Sequence, residues 1–67
     1  MKIILNNIPE EFNTDTLTVS ELLKLKNFTF KLLVIKINGK VVRKHEFEAA
    51  FIKDGDQVMV LHLISGG

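Results

Sequence analysis

Cysteine, tryptophan and tyrosine are all absent from this 67-residue chain, and proline occurs once. Without cysteine there is no disulfide framework and no thiolate metal site, a composition that fits a reducing, cytoplasmic location. The two histidines, His45 and His62, are not spaced as a metal pair, and no acidic cluster accompanies them. Ser20 and Ser65 have no candidate base near them in sequence. Glycines 39, 55, 66 and 67 form no phosphate-cradling loop. Asp54-Gly55-Asp56 opens like a calcium loop but lacks the further oxygen ligands and closing glutamate, so it reads as a tight turn. Near the N-terminus the apolar run Ile3-Ile4-Leu5 is far too short for a signal peptide or a membrane span. These absences predict a soluble chain with no catalytic residues of its own, no metal and no membrane partner.

What is present suffices for one small domain. A chain of this size buries only about 60% of the surface it exposes when unfolded, so its core has to be economical. An apolar content of 46%, with five phenylalanines, is enough to pack a helix on a sheet. The net charge is +1, but its distribution is uneven. Seven of the nine Lys and Arg residues lie between Lys24 and Lys44, and no Asp or Glu lies between Glu21 and Glu46. The plain reading is a solvated basic face. A nucleic-acid surface would interleave aromatic platforms with the cations, and only Phe28 and Phe30 stand there, in a segment that must also supply core. No nucleic-acid partner is therefore expected; a basic surface for an acidic protein is the functional version.

Along the chain, "KIILN" reads as a first strand, punctuated by Asn6, Asn7 and Pro9, with "EEFN" returning as a short partner. Thr18 followed by Glu21 has the form of a capping box. Val19, Leu22 and Leu23, then Leu25 or Lys26, make one apolar helical stripe that stops near Asn27. "LLVIKINGKVVRK" carries the strongest hairpin signal, because Asn38-Gly39 tolerates the positive φ of a type I′ turn between two β-rich arms. In the first arm Leu33, Ile35 and Ile37 should point inward, and Val34 and Lys36 outward. "HEFEAAFI" reads as a loop with a helical turn, pinned to the core by Phe47 and Phe51. Residues 57–64 form the last strand. The expected order is strand, strand, helix, strand, strand, loop, strand: an α+β layer with one sheet face covered by the helix and the other open.

The last strand is apolar on both parities, with Val58, Val60 and Ile64 on one and Met59, Leu61 and Leu63 on the other. If His62 faces solvent, the simplest reading places Met59, Leu61 and Leu63 in the core. After it come Ser65, Gly66 and Gly67, and glycine adds no burial while losing the most entropy on ordering.

In this order and spacing the motifs resemble the ThiS family, the sulfur carriers of thiamine biosynthesis. The resemblance rests on Lys2, Ile3 and Asn6; on Thr18, Val19, Glu21, Leu22 and Leu23; on Ile37 to Val42; on Phe47; on Asp54 to Val58; and on the closing Gly66-Gly67. The chain departs from the family's pattern at Arg43 and Lys44, where many relatives carry a proline, and at Phe47, where tryptophan or tyrosine is also expected. The resemblance implies a ubiquitin-like β-grasp fold, a mixed sheet of four to five strands with one main helix packed on one face. The domain would span residues 1–64 and a flexible diglycine tail residues 65–67.

It implies a function as well: a protein co-substrate rather than an enzyme. A ubiquitin-activating-type (ThiF-like) adenylyltransferase, using ATP and Mg, would adenylate the Gly67 carboxylate. A sulfur donor enzyme would convert it to a thiocarboxylate, and a thiazole synthase (ThiG-like) would take the sulfur. Ser65, Gly66 and Gly67 would thread into the partner site, where the missing Cβ of glycine lets the backbone approach closely. The resemblance further implies that Leu61 faces the partner, which puts Met59, Leu61, Leu63 and Val34 on an exposed docking patch and reverses the simplest reading of the strand. The small subunit of molybdopterin synthase shares this tail chemistry. A ubiquitin-like protein modifier, or a β-grasp module with an inert diglycine, are the further alternatives.

Overall fold

The computed structural model describes residues 1–28 and 33–62. Strand β1 (Lys2–Leu5) turns back through Asn6 and Asn7 into β2 (Ile8–Glu11). Both asparagines have positive φ, 51° and 67°, in a two-residue loop between the paired Leu5 and Ile8. This left-handed pair matches the strand twist of a tight hairpin, and Asn tolerates it better than most side chains. The returning strand is Ile8–Glu11, earlier than the "EEFN" expected for it, because so short a turn lets pairing begin at once.

β3 (Thr16–Thr18) runs directly into helix α1 (Val19–Leu25). Thr18 caps the helix: its hydroxyl oxygen accepts from the Glu21 N–H at 3.1 Å, and Glu21 Oε1 accepts from the Thr18 N–H at 2.9 Å. At the other end Asn27 adopts φ 57°. The Phe28 N–H then reaches the Leu23 carbonyl at 2.8 Å and the Asn27 N–H the Lys24 carbonyl at 3.1 Å. That is the paired hydrogen bonding of a left-handed helix stop, which uses up otherwise unsatisfied carbonyls. Val19 and Leu22 are buried on the helix's inner face. Leu25 is 62% exposed, and the stripe continues through Lys26, whose ammonium pairs with Glu10 of β2 at 3.0 Å.

β4 (Leu33–Ile37) and β5 (Lys40–Val42) form the expected hairpin over Asn38 and Gly39, at φ 51° and 84°. Ile35 is fully buried, with Leu33 and Ile37 packed against the core. After a 3-10 turn at Lys44–Glu46 the chain forms β6 (Phe51–Lys53) and then β7 (Gln57–His62). The main sheet has the order β2-β1-β7-β4-β5, and β3 pairs with β6 in a second, two-stranded sheet. β7 runs parallel to β1 and antiparallel to β4. This mixed five-stranded sheet with one helix against it is the β-grasp arrangement.

The β3–β6 ribbon corrects the expectation of a loop pinned by two aromatics. Phe47 does pack against the core, but Phe51 is 56% exposed and Ile52 takes the buried place. In a strand alternate residues face opposite ways, so Ile52 can point inward only if Phe51 and Lys53 point out. Its partner Leu17 is buried opposite it. Each strand has three residues, too few to show alternation in the sequence. The core among the described residues is Ile3, Leu5, Leu17, Val19, Leu22, Ile35, Ile52, Val58 and Val60.

Two outcomes test this account. Leu22→Ala should lower unfolding free energy by about 3 kcal/mol in urea titration, the usual loss for a fully buried leucine. Removing the cap with Thr18→Ala should cost about 1 kcal/mol. The Thr18 backbone N–H, its hydroxyl and then the nearby Lys24 charge hold the Glu21 carboxyl below its ordinary range. A depressed folded-state value means that stability from Glu21 is present above the unfolded value and lost as pH falls through the folded one. Thermal melts of Glu21→Gln and wild type should therefore differ at neutral pH and converge in strong acid.

Candidate functional site

The site is built around β7, because its N-terminal half is locked and its far end leads toward the diglycine. Asn6 does much of the locking. Its backbone N–H donates to the Val58 carbonyl at 2.9 Å. Its side chain then acts as a peptide mimic: Oδ1 accepts from the Val60 N–H at 2.8 Å and Nδ2 donates to the Val60 carbonyl at 3.2 Å. Parallel pairing of β1 with β7 ends at Leu5 and Val58, so the Asn6 amide serves β7 where β1 has already turned away.

Asn38, in the other hairpin turn, holds the start of β7. Its Oδ1 accepts from the Gln57 N–H at 2.9 Å, and its N–H donates to the Gln57 carbonyl at 2.7 Å. Its Nδ2 donates to Asp56 Oδ1 at 3.0 Å. Asp56 Oδ2 accepts from the Lys53 N–H at 2.9 Å, and Asp54 Oδ1 accepts from the Lys2 N–H at 2.7 Å. The two carboxylates of Asp54-Gly55-Asp56 are therefore fixed to backbone N–H groups, and Gly55 supplies φ 86° at the bend. Among the described residues no three of His, Cys, Asp or Glu converge as metal ligands. His45 sits exposed on the 3-10 turn, and Ser20 lies in the first turn of α1.

The locked register decides which face of β7 looks inward. Val58 is fully buried and Val60 is 8% exposed, so the opposite parity faces out, with Leu61 at 40%. The simplest reading of the strand, with Met59 and Leu61 in the core, does not hold, and Leu61 is exposed as the resemblance implied; two adjacent residues of a strand cannot both point at one core. Val34 lies directly opposite Leu61, and Lys36 is flanked by Met59 on β7 and Val41 on β5. Ile4 of β1 shares this face, away from buried Ile3 and Leu5. The outer face thus carries Ile4, Val34, Val41, Met59 and Leu61, with Lys36 between Met59 and Val41, and with Gln57 and Lys2 on its β1 side. Among these, Val41 is 58% exposed.

Of the residues marked in the sequence, Val34, Met59 and Leu61 come together on this face. Leu63, Ser65, Gly66 and Gly67 lie outside the described residues. Sequence reasoning missed Ile4 and Val41 as members of the face, and the two asparagine clamps. Asn6 and Asn38 each stood out only as turn residues; that their amides reach a strand some twenty to fifty positions away (separations of 19 and 54) has no local signal.

The profile of the ThiS family matches residues 3–67. Among solved structures, the chain is similar to the crystal structure of the thiamine biosynthesis protein ThiS from Geobacter metallireducens, at 33% identity, TM-score 0.88 and complete coverage of both chains. The solution structure of a thiamine biosynthesis protein from the same organism matches at 33% identity and TM-score 0.77, covering all of this chain and 88% of the other. A curated relative, the uncharacterized protein ycf40 of Trieres chinensis, is 28% identical over 61 residues, covering 91% of this chain and 84% of the relative.

The clamp on β7 can be tested by Asn6→Gly, which keeps the positive φ and removes only the side chain. Losing two hydrogen bonds at about 1 kcal/mol each should lower stability by about 2 kcal/mol. Amide exchange at Val60 should accelerate beyond what that global loss accounts for. Unchanged stability would refute the clamp.

Proposed function

This chain belongs to the ThiS family, and from that premise we propose that it is a sulfur carrier of thiamine biosynthesis whose reacting group is the carboxylate of Gly67. A carboxylate resists nucleophilic attack because of its charge. An adenylyltransferase of the ubiquitin-activating type joins it to the α-phosphate of ATP, assisted by Mg, and pyrophosphate leaves. Sulfide-level sulfur released by a donor enzyme then attacks the acyl carbon and AMP leaves, so that a thiocarboxylate forms. A thiazole synthase takes the sulfur in exchange for an oxygen at the acyl carbon, and the carboxylate is thereby regenerated for another cycle.

This chain contributes a handle and a position. The apolar outer face around Leu61, with Val34 and Met59, is the docking surface. It lies on the strand that leads to Ser65, Gly66 and Gly67, so gripping the face places the tail. Glycine has no side chain to obstruct attack at the acyl carbon or to widen the channel that the tail must enter. A large exposed apolar patch is a recognised sign of a protein contact. Metal, nucleotide and proton-transfer groups belong to the partners, and the chain serves them as a co-substrate in the cytoplasm.

The observation that carries the reading is the family match from residue 3 through Gly67, which includes the diglycine. The similarity to two solved structures of thiamine biosynthesis proteins favours thiamine over molybdopterin biosynthesis. The test is intact-mass analysis after incubation with the adenylyltransferase, ATP, Mg and a sulfur donor. The expected product gains the mass difference of sulfur for oxygen, and deletion of Gly67 abolishes it; covalent conjugates to lysines would instead identify a modifier. For docking, Leu61→Thr should raise the KM of the chain in ATP–pyrophosphate exchange while shifting stability by no more than about 0.5 kcal/mol.

A further inference from the structure

Lys36 is out of place on the outer face. It is half-buried between the apolar side chains of Met59 and Val41, its partners in register. A neighbour directly opposite in antiparallel strands stands only about 5 Å away, so these side chains crowd its aliphatic stem. Val34 sits two residues away on the same strand face, and Leu61 opposite Val34.

No carboxylate of this chain serves Lys36 among the described residues. The ion pair seen there is Lys26 with Glu10, between the helix and β2. Glu11 is the carboxylate on the outer face of the sheet, but it lies on β2 opposite Lys2, with β1 and β7 between it and Lys36. Asp56 is held by the Lys53 N–H and the Asn38 amide, and Glu46 Oε1 accepts from the Arg43 N–H. The way out over the β5 edge runs toward Lys40, Arg43 and Lys44, charges of the same sign.

Resting on the docking reading above, we propose that Lys36 is the charge-selecting residue of this face, and that the adenylating partner covers it with an apolar surface carrying a single aspartate or glutamate opposite its ammonium. The argument is one of desolvation. A partner that covers Leu61, Met59 and Val34 also removes water from Lys36. An ammonium taken from water without an acceptor is strongly unfavourable, whereas one paired with a carboxylate is tolerated and selects its partner. Escape of the side chain to the rim does not remove the demand, because the rim there is basic. A partner surface without an anion would be rejected, and so would one carrying a cation at that spot.

The experiment is ATP–pyrophosphate exchange with the adenylyltransferase of the same organism, varying the chain's concentration at low and high ionic strength. Melting curves confirm that each variant is folded. For wild type, KM should rise with salt, since screening weakens a charge pair. Lys36→Glu should raise KM about tenfold or more at low salt without changing kcat, because like charges then face each other. Lys36→Met should weaken the salt dependence, and Lys36→Arg should stay close to wild type. If Lys36→Glu and Lys36→Met keep the wild-type KM and salt response while Leu61→Thr raises KM, the face docks but Lys36 selects nothing, and this inference fails alone. If Leu61→Thr also leaves KM unchanged, the docking reading falls and takes this inference with it.

Discussion

The arrangement depends on the last strand lying in the middle of the sheet. β7 pairs with β1 on one side and β4 on the other, so the two ends of the sequence meet at the centre of the fold. Neither hairpin can complete the sheet without it; each would be a two-stranded ribbon, which is marginal in water. The turns supply the fasteners. Asn6 and Asn38 adopt the left-handed conformation their hairpins need and, with the same side chains, bond to β7 at Val60 and Gln57. A residue chosen for a turn thereby also sets the register of a strand far away in sequence.

Register, in turn, separates stability from recognition on one six-residue strand. Val58 and Val60 face α1 and the core, while Met59 and Leu61 face outward beside Val34. A slip by one residue would exchange the two sets. Such a slip would be nearly neutral in hydrophobicity, because both sets are apolar. Hydrophobic patterning therefore does not protect the register of β7, and the directional asparagine and backbone hydrogen bonds do. The chain tolerates a second apolar parity because the outer face is where a partner is proposed to sit.

The core is small and its supports are local. The Thr18–Glu21 box starts α1, the left-handed Asn27 ends it, and the Lys26–Glu10 pair ties its last turn to β2. The short β3–β6 ribbon closes the remaining side by burying Leu17 against Ile52. Both carboxylates of Asp54-Gly55-Asp56 are occupied with backbone N–H groups. What resembles a cation loop in one dimension is thus a strand connection in three.

The sequence by itself determined whatever depends on neighbours in the chain. The capping box, the Asn38-Gly39 turn and the inward set of Leu33, Ile35 and Ile37 were legible because each follows from spacing over a few residues. The full succession of motifs is enough by itself to resemble the ThiS family. Only the tertiary structure decided matters where local signals were balanced or too short. β7 is apolar on both parities, so pattern alone could not orient it, and the naive choice placed Leu61 inside. β3 and β6 hold three residues each, fewer than an alternation needs to be seen, so Phe51 was mistaken for core. Lys36 is legible as outward, but its lack of a carboxylate partner among the described residues is a property of the assembled face. Periodicity encodes which way a residue points; which neighbours it lacks is set only when distant strands are brought side by side.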